Sequence, residues 1–199
     1  MMVRGQAWGT PATRHVDDIV VSSDAALATQ PPGQRLIASG GDLAHSLGFT
    51  TLPEVGQACT EVSIDGVRID IERKDGQKRT ITAVSSVTIG SWLVGRFVCV
   101  TNSGFIDSRN IAPRAHPNDG FLDVMTLDTS MRLQQRISAR QKSLSGTHIP
   151  HPLIDVRRSR LLEYTKESFF DFLSIDGQRV ASWRHLHIEI LSDYWRLLV

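Results

Sequence analysis

Residues 59–89 read CTEVSIDGVRIDIERKDGQKRTITAVSSVTI, and the alternation in this stretch decides the fold. Apolar residues recur at every second position, as at Val67 and Ile69, which is the period of a β-strand with one buried face. Asp-Gly pairs at 65–66 and 75–76 interrupt the alternation, and this dipeptide is a strong signal for a hairpin turn. The stretch therefore predicts antiparallel strands joined by tight turns at both places.

The rest of the chain after this stretch continues the same pattern. Further strand-like runs are RFVCVTNSG (96–104), GFLDVMTL (120–127), SFFDFLSIDGQRV (168–180) and HLHIEILSDYWRLLV (185–199). They predict an antiparallel β-domain of the sandwich type. One helix, TSMRLQQRISARQKSL (129–144), interrupts the strands, with Thr129 or Ser130 as its cap and Gly146 after its end. Its expected apolar positions are Met131, Leu133, Ile137 and Leu144.

The first 50 residues have a different pattern, in which short strands alternate with short helices. The predicted strands are DDIVVSS (17–23) and QRLIAS (34–39), and the predicted helices are DAALATQ (24–30) and GDLAHSLGF (41–49). Such alternation favours parallel pairing. The fold class is therefore α+β, with a small α/β part at residues 1–50 that rests on a β-sandwich at residues 51–199, because so few elements bury too little surface to stand alone.

Composition limits the classes of function. The 199 residues are 41% hydrophobic and 22% charged, and the formal net charge is +1. A nearly neutral chain gives no general electrostatic attraction to nucleic acid, so none is expected as a partner. We expect no transmembrane segment and a cytoplasmic location, because no apolar run approaches eighteen residues and the N-terminal stretch lacks the apolar core of a secretory signal. Cys59 and Cys99 lack metal-ligand spacing and are expected to be buried, reduced thiols.

Several motifs, in order along the chain, resemble those of the bacterial diacylglycerol kinase and sphingosine kinase family, which shares its architecture with NAD kinases. APRAHPNDGFLDV (112–124) is similar to the family's A-P-x-A-x-x-D-D-G-L-L-D-V loop, GTHIPHP (146–152) to its G-K-H segment, and SIDGQRV (174–180) to its D-G-E turn. VVSSDAAL (20–27) and ASGGDLAHSLG (38–48) lie where the family has its two nucleotide-binding turns. The resemblance implies an α/β nucleotide part followed by a β-sandwich.

The resemblance also implies the site residues. Those implied to bind nucleotide are Ser22, Ser23, Asp24, Gly40, Gly41 and Asp42. Asp24 is implied to be catalytic, and Gln178 stands where the family has an acid. His148 and Asp176 are implied to line the ligand cleft. In such kinases the loop that corresponds to residues 112–124 is associated with a metal. Asp119 and the carbonyls of His116 and Phe121 are therefore implied to bind Mg²⁺. The alternative is an ordinary Asn-Asp-Gly turn whose side chains bond their own backbone.

The departures from the family pattern weaken the case for catalysis. Glycines in a phosphate-binding turn allow close approach of the backbone, and Ser22, Ser23 and Ala25 place side chains there. Gln178 cannot take up a proton at neutral pH, and loss of a general base typically costs 10²–10⁴-fold in rate. ATP binding is therefore expected to be weak or absent.

Two further groups of residues have two interpretations each. Arg132, Arg136 and Arg140 recur on one helix face and predict either a contact with anionic lipid at a membrane surface or a plain solvated face. His148 and His151 have a spacing that could suggest zinc, but the prolines beside them exclude a helix, and a structured loop is the simpler interpretation.

Three functions follow from the motifs. The first is a catalytically weakened or inactive relative of the lipid kinases that binds a lipid or another apolar ligand. The second is an active ATP-dependent lipid kinase, with a homodimer or a second protein completing its site. The third is a structural or interaction module without a ligand.

Overall fold

The computed structural model describes residues 8–49 and 51–199. The strands in these ranges are β1 (Thr10–Thr13), β2 (Ile19–Val21), β3 (Arg35–Ala38), β4 (Ala58–Glu72), β5 (Lys78–Ala83), β6 (Ser86–Gly90), β7 (Phe97–Thr101), β8 (Phe105–Ile106), β9 (Arg109–Asn110), β10 (Leu122–Leu127), β11 (Ile154–Ser159), β12 (Leu161–Thr165), β13 (Leu173–Ile175), β14 (Gln178–Val180) and β15 (His185–Leu198). The helices are α1 (Asp24–Leu27), α2 (Asp42–Ser46) and α3 (Leu133–Lys142), which a 3-10 turn (Ser143–Ser145) extends.

Two sheets pack face to face. The first has seven strands around the long antiparallel pair of β4 and β15, with β1 and β5 beside β4 and with β12 and β3 beside β15. The second has six antiparallel strands in the order β11, β10, β7, β6, β13, β14. Alternate residues such as Ile69 and Ile188 from the first sheet and Val87 and Val98 from the second are buried between them. This arrangement confirms the predicted β-sandwich.

The N-terminal strands belong to the same sheet as the C-terminal strand. β2 and β3 pair in parallel, as the sequence predicts, and β3 also pairs in parallel with the end of β15, where Leu36 lies beside Leu197. A second core cluster crosses this junction, because Leu27 and Leu43 of the short helices pack with Trp195. A domain boundary at residue 50 stays a prediction.

Only one of the two predicted Asp-Gly turns forms. Asp75–Gly76 lies in the turn between β4 and β5, and Gly76 has a φ of 79°, a conformation that suits glycine. The turn predicted at Asp65–Gly66 is wrong, because both residues lie inside β4. Asp65 is fully buried and bonds to other segments of the chain, and β4 continues through the dipeptide while its pairing with β15 shifts register there.

Helix α3 covers the outer face of the second sheet, but not in the way that its sequence predicts. It begins at Leu133, four residues later than expected, with Arg132 as the N-cap residue. Gly146 follows its 3-10 extension in the left-handed conformation, as predicted. Of the expected apolar positions, Met131 is buried, whereas Leu133, Ile137 and Leu144 are exposed. The helix instead buries Arg136 and Ala139.

Two smaller expectations can be compared with the structure. Cys59 and Cys99 are both free thiols, and Cys99 is fully buried as predicted, whereas the predicted burial of Cys59 is wrong because that side chain is only partly buried. In the part of the chain that the structure describes, no helix has the length and apolar character needed to cross a membrane.

Candidate functional site

The loop at residues 112–124 is organised around the buried carboxylate of Asp65. The N–H of Gly120 donates to Asp65 Oδ2 at 2.8 Å, and the side-chain amide of Asn118 lies 3.4 Å from Asp65 Oδ1. The N–H of Asp65 donates to the carbonyl of Pro117 at 2.8 Å. Burial raises the pKa of Asp65, and the N–H donors oppose that shift. The loop is therefore held by hydrogen bonds to the buried carboxylate of Asp65. The sequence predicts instead that Asp65 lies in a turn.

The residues of the implied magnesium set bond within the protein. Asp119 Oδ1 accepts the N–H of Phe121 at 3.0 Å, and the carbonyl of His116 accepts the N–H of Asp119 at 3.3 Å. The guanidinium of Arg158 lies 3.3 Å from Asp119 Oδ2 and 3.5 Å from Asp123 Oδ1. An arginine therefore stands beside the carboxylates that a cation would need.

Asp119, the one carboxylate of this donor set, is engaged by Arg158 and by the N–H of Phe121 in the observed arrangement. Among residues 8–49 and 51–199, no three His, Cys, Asp or Glu side chains are grouped to hold a metal ion. Burial raises the pKa of Asp123 to about 6, with Arg158 opposing the shift. The observed contacts match the alternative of an Asx-type turn, with Asp119 bonded to its own backbone. Mg²⁺ binding stays a prediction.

Asp24 and Asp42 come together at the start of α2. Asp24 is buried, and its carboxylate accepts the N–H of Asp42 at 2.8 Å and the N–H of Leu43 at 3.3 Å. The side chain of Asp42 in turn accepts the N–H groups of Asp107 and Ser108, at 3.0 and 2.9 Å. Each carboxylate therefore satisfies backbone donors of another segment.

Asp176 is the third acid of this group. Its carboxylate accepts the N–H groups of Val84, Ser85 and Ser86, at 2.8 to 2.9 Å, between β5 and β6. Burial raises the pKa of Asp176, and the three donors oppose that shift. Burial, followed by the charge of Asp176, raises the pKa of Asp24 to about 7. We name Asp24, Asp42 and Asp176 the acid cluster.

The remaining nucleotide positions surround Asp24 without leaving space beside it. Gly41 has a φ of 98°, and a Cβ built on it would overlap Asp24 Oδ1. A Cβ on Gly40 would lie 2.6 Å from the carbonyl of Ser22. Ser23 caps α1 by accepting the N–H of Ala26 at 3.2 Å. The predicted residues are thus neighbours, but the carboxylate of Asp24 fills the place that the glycines open.

Gln178 and His148 contact other segments of the chain than the acid cluster does. Gln178 is exposed on β14, opposite Ile175 and just after the tight turn at Asp176–Gly177. His148 is buried, and its Nε2 bonds the carbonyl of Ile111 at 3.1 Å, while its Nδ1 has no hydrogen-bond partner among the described residues. Burial lowers the pKa of His148, which favours the neutral ring. His148 and Asp176 therefore contact different segments, and these bonds do not bring them into one cleft.

The three arginines of α3 do not form one exposed face, so that part of the predicted membrane contact is wrong. Arg136 is buried, and its guanidinium donates to the carbonyls of Met131, Trp92, Gly95 and Asp128 at 2.7 to 3.2 Å. Arg132 and Arg140 remain exposed. His151 Nδ1 accepts the N–H of Leu153 at 3.1 Å, which agrees with a structured loop and not with zinc.

An open groove of about 820 Å³ lies between the 112–124 loop and β11. Its apolar lining comes from Ile149, Pro150, Ile154 and Val156, and its cations are Arg114, Arg157 and Arg158. The carboxylate of Asp123 also lines the groove and pairs with Arg158, which leaves Arg114 and Arg157 as the excess positive charge. The motifs in the sequence do not single out these arginines, although Arg114 lies within the 112–124 motif and the RRSR run at 157–160 is a signal for Arg157 and Arg158. The groove combines apolar surface with positive charge, which suits a ligand that has an apolar part and an anionic part.

Comparison with known proteins agrees with the fold. A search of curated protein sequences finds no match. A Bacillus anthracis (strain Sterne) protein assigned as a diacylglycerol kinase superposes with a TM-score of 0.53 and 13% identity, over 92% of this chain and 77% of the other. Yeast NADH kinase complexed with NADH superposes with a TM-score of 0.55 and 10% identity, over 92% of this chain and 62% of the other.

These likenesses show a shared fold, and the match to a family model is more specific. The model of the YegS C-terminal NAD kinase beta sandwich-like domain matches residues 57–191. That range runs from the start of β4 to the middle of β15, so it covers the whole second sheet and the β4, β5 and β12 strands of the first. The resemblance to the lipid kinase and NAD kinase superfamily is therefore confirmed, and the chain belongs to the family of YegS C-terminal NAD kinase beta sandwich-like domains.

Proposed function

We propose that this chain binds a lipid or another apolar ligand that carries an anionic group, and that its phosphoryl-transfer activity is weakened or lost. The observation that carries the proposal is the groove beside β11, where Ile149, Pro150 and Val156 lie next to Arg114 and Arg157. Apolar side chains bind an acyl chain by burial, while guanidinium groups bind phosphate or carboxylate through charge-assisted hydrogen bonds.

The acid cluster supports the second half of the proposal. A phosphate at the start of α2 would need the N–H groups that Asp24 already accepts, and it would meet the charge of Asp42 and Asp24. Like charges placed next to each other repel, and more strongly beside the buried carboxylate of Asp24 than in bulk water. Gln178, in the position of the family's acid, is exposed and cannot accept a proton at neutral pH.

One observation favours an active kinase as a second candidate. The pKa of Asp24, raised to about 7, lies in the range that suits a general base near neutral pH. Such a base would have to leave the backbone donors of α2 in order to reach a substrate hydroxyl. The same experiment distinguishes the two candidates.

The test is a thermal-shift series with three ligands on the full chain. Lysophosphatidic acid and lysophosphatidylcholine carry matched acyl chains and differ in net charge, and ATP with Mg²⁺ tests the nucleotide site. We expect lysophosphatidic acid to stabilise the fold by about 2.7 kcal/mol at a hundredfold excess over its Kd, with little effect of ATP. Arg114→Glu should remove most of this effect, whereas Arg73→Glu, beside an exposed turn far along the sequence, should not.

The outcomes separate the three functions. Stabilisation by ATP that Asp24→Ala abolishes would establish the active kinase instead. An equal response of Arg114→Glu and the unaltered chain would place the ligand elsewhere and contradict the proposed groove. The absence of any lipid or nucleotide effect would favour an interaction module.

A further inference from the structure

Two neighbouring loops expose large apolar side chains at one end of the sandwich. In the loop at 166–172, between β12 and β13, Phe169 is 80% exposed and Phe170 is 54% exposed. In the loop at 91–96, between β6 and β7, Leu93 is 48% exposed and Val94 is 56% exposed. Side chains of this size are usually buried, and a contiguous exposed group of them commonly marks a contact surface.

The 166–172 loop holds its phenylalanines outward by a set of internal bonds. Asp171 is buried, and its Oδ2 accepts the N–H groups of Glu167 and Ser168, each at 2.9 Å. The indole of Trp183 donates to the carbonyl of Asp171 at 3.0 Å. Phe169 and Phe170 pack edge to face, with ring centroids 5.8 Å apart. Their exposure is therefore a property of a braced loop.

The two loops are tied to each other. The N–H of Gly90 donates to the carbonyl of Phe172 at 2.8 Å, at the point where the 91–96 loop leaves β6. Arg96 lies 3.1 Å from Glu167 in an ion pair between the loops. From the other side, the buried guanidinium of Arg136 donates to the carbonyls of Trp92 and Gly95. The four exposed apolar residues thus belong to one supported end of the molecule.

Positive charge surrounds this apolar end. Lys74, Lys166 and Arg184 line one depression beside Phe169, and Arg179 lines the adjoining one. Arg179 stacks over the ring of Phe172 at 4.3 Å, and Lys166 lies 5.7 Å from the ring of Trp183. Of the two acids in the 166–172 loop, Glu167 is paired with Arg96, and Asp171 is buried and accepts backbone N–H groups. Cations therefore dominate the rim.

We infer that this end of the sandwich, which we call the aromatic end (residues 91–96 and 166–172 with the cations of its rim), docks on the surface of an anionic lipid bilayer. Phe169, Phe170, Leu93 and Val94 would enter the boundary between head groups and acyl chains, while Lys74, Lys166, Arg179 and Arg184 contact anionic head groups. This surface is separate from the groove of the proposed function and does not depend on it.

The shape and charge favour a bilayer over a protein partner. The apolar side chains lie at the tips of two loops and so can penetrate a soft surface together. Lysine is depleted in protein interfaces, whereas clustered lysine and arginine beside exposed phenylalanine is the pattern of interfacial membrane binding. The positive charge of the aromatic end therefore favours an anionic bilayer over a protein partner.

The test is co-sedimentation of the full chain with vesicles. One set contains neutral phosphatidylcholine, and the other contains phosphatidylcholine with about a third phosphatidylglycerol, at low and high salt. We expect binding to the anionic vesicles to fall at least tenfold in Phe169→Ser/Phe170→Ser and several-fold in Lys74→Glu/Arg184→Glu. Leu133→Ser/Leu144→Ser, which removes two comparably exposed leucines at α3, is the matched control and should bind as the unaltered chain does.

Three results would overturn the inference. These are no binding to anionic vesicles, equal binding to neutral and anionic vesicles with no effect of salt, and equal losses in the control and in the phenylalanine variant. Analytical ultracentrifugation of the same variants tests the other occupant, a second copy of the chain. A dimer that Phe169→Ser/Phe170→Ser dissociates, in a chain that does not bind vesicles, would assign the surface to self-association.

Discussion

At the scale of single residues, the carboxylates of Asp24, Asp65 and the half-buried Asp176 accept mainly backbone N–H groups. Asp24 satisfies the start of α2, Asp65 the loop at 112–124, and Asp176 the junction of β5 and β6. A buried N–H without an acceptor costs about 1–3 kcal/mol of stability. By accepting these N–H groups, each carboxylate removes that cost from an irregular segment. Burial of the carboxylates has a cost of its own, because it disfavours their charged form and raises the pKa of all three.

Asp24 should therefore make the stability of the protein depend on pH. Its pKa is about 7 in the folded chain, against a reference value of 3.8. The folded state holds the proton more tightly, so the contribution of Asp24 is fully present below about pH 4 and is lost as pH rises through about 7. We expect this loss to be of the order of 2–4 kcal/mol. Urea unfolding between about pH 4 and pH 8 measures it.

The matched variants are Asp24→Asn and Asp17→Asn. The asparagine side chain in the first variant retains an oxygen that can accept from α2 but does not titrate, so the free energy of unfolding should fall less steeply over this range. Asp17 is exposed, and its replacement should leave the slope unchanged. Identical slopes in all three proteins would show that Asp24 does not carry a raised pKa.

Asp65 and Asp75 also show what local sequence can and cannot predict. Both precede a glycine within an alternating run, so both carry the same hairpin signal. Asp75 forms the turn, whereas Asp65 accepts bonds from Gly120 and Asp193, which are remote in the sequence. The partners that distinguish the two dipeptides are tertiary and leave no mark in a short stretch of sequence.

At the scale of elements, α3 depends on one buried arginine. Arg136 donates to four carbonyls and holds the helix start to the 91–96 loop. Arg136→Ala would remove these four hydrogen bonds, one of them buried and three partly buried, and we expect a loss of about 2–4 kcal/mol in the free energy of unfolding. Arg132→Ala, at the exposed helix start, should change stability by less than about 0.5 kcal/mol.

Arg136→Lys distinguishes hydrogen bonding from charge in this prediction. Lysine keeps the charge but not the planar set of donors, so it should recover only a minor part of the loss. Denaturant unfolding of the three variants supplies the comparison. Equal stability of Arg136→Ala and Arg132→Ala would contradict the structural role of Arg136.

Most strands and the order of the elements could be predicted from alternation, and the contacts of α3 could not. The helical period marks Leu133, Ile137 and Leu144 as the packing face, yet these residues are exposed while Arg136 is buried. Periodicity predicts burial from the type of each side chain. It cannot detect that carbonyls of the 91–96 loop accept hydrogen bonds from Arg136 and so stabilise its burial. For the same reason the motifs place Asp24 and Asp42 together but assign Asp176 to a cleft with His148, whereas in the structure the charge of Asp176 acts on Asp24.

At the scale of the whole molecule, the N-terminal elements and the sandwich share one sheet. β3 pairs with the end of β15, and Trp195 and Leu197 pack against Leu27 and Leu43 from the first 50 residues. Without that segment, Leu197 would lie on an open edge, and the apolar surface around Trp195 would face water. Each large side chain exposed in this way costs about 1.5–3 kcal/mol.

We therefore expect the chain shortened to residues 51–199 to lose cooperative folding or to aggregate. Urea unfolding followed by tryptophan fluorescence and by circular dichroism should give one coincident transition for the full chain and none for the short one. Adding a separate peptide of residues 8–49 should restore part of the native signal if the lost contacts are those at β3. A short chain that unfolds cooperatively with unchanged stability would instead establish residues 51–199 as an independent domain, and the pairing of β3 with β15 would then be a docking contact between two domains.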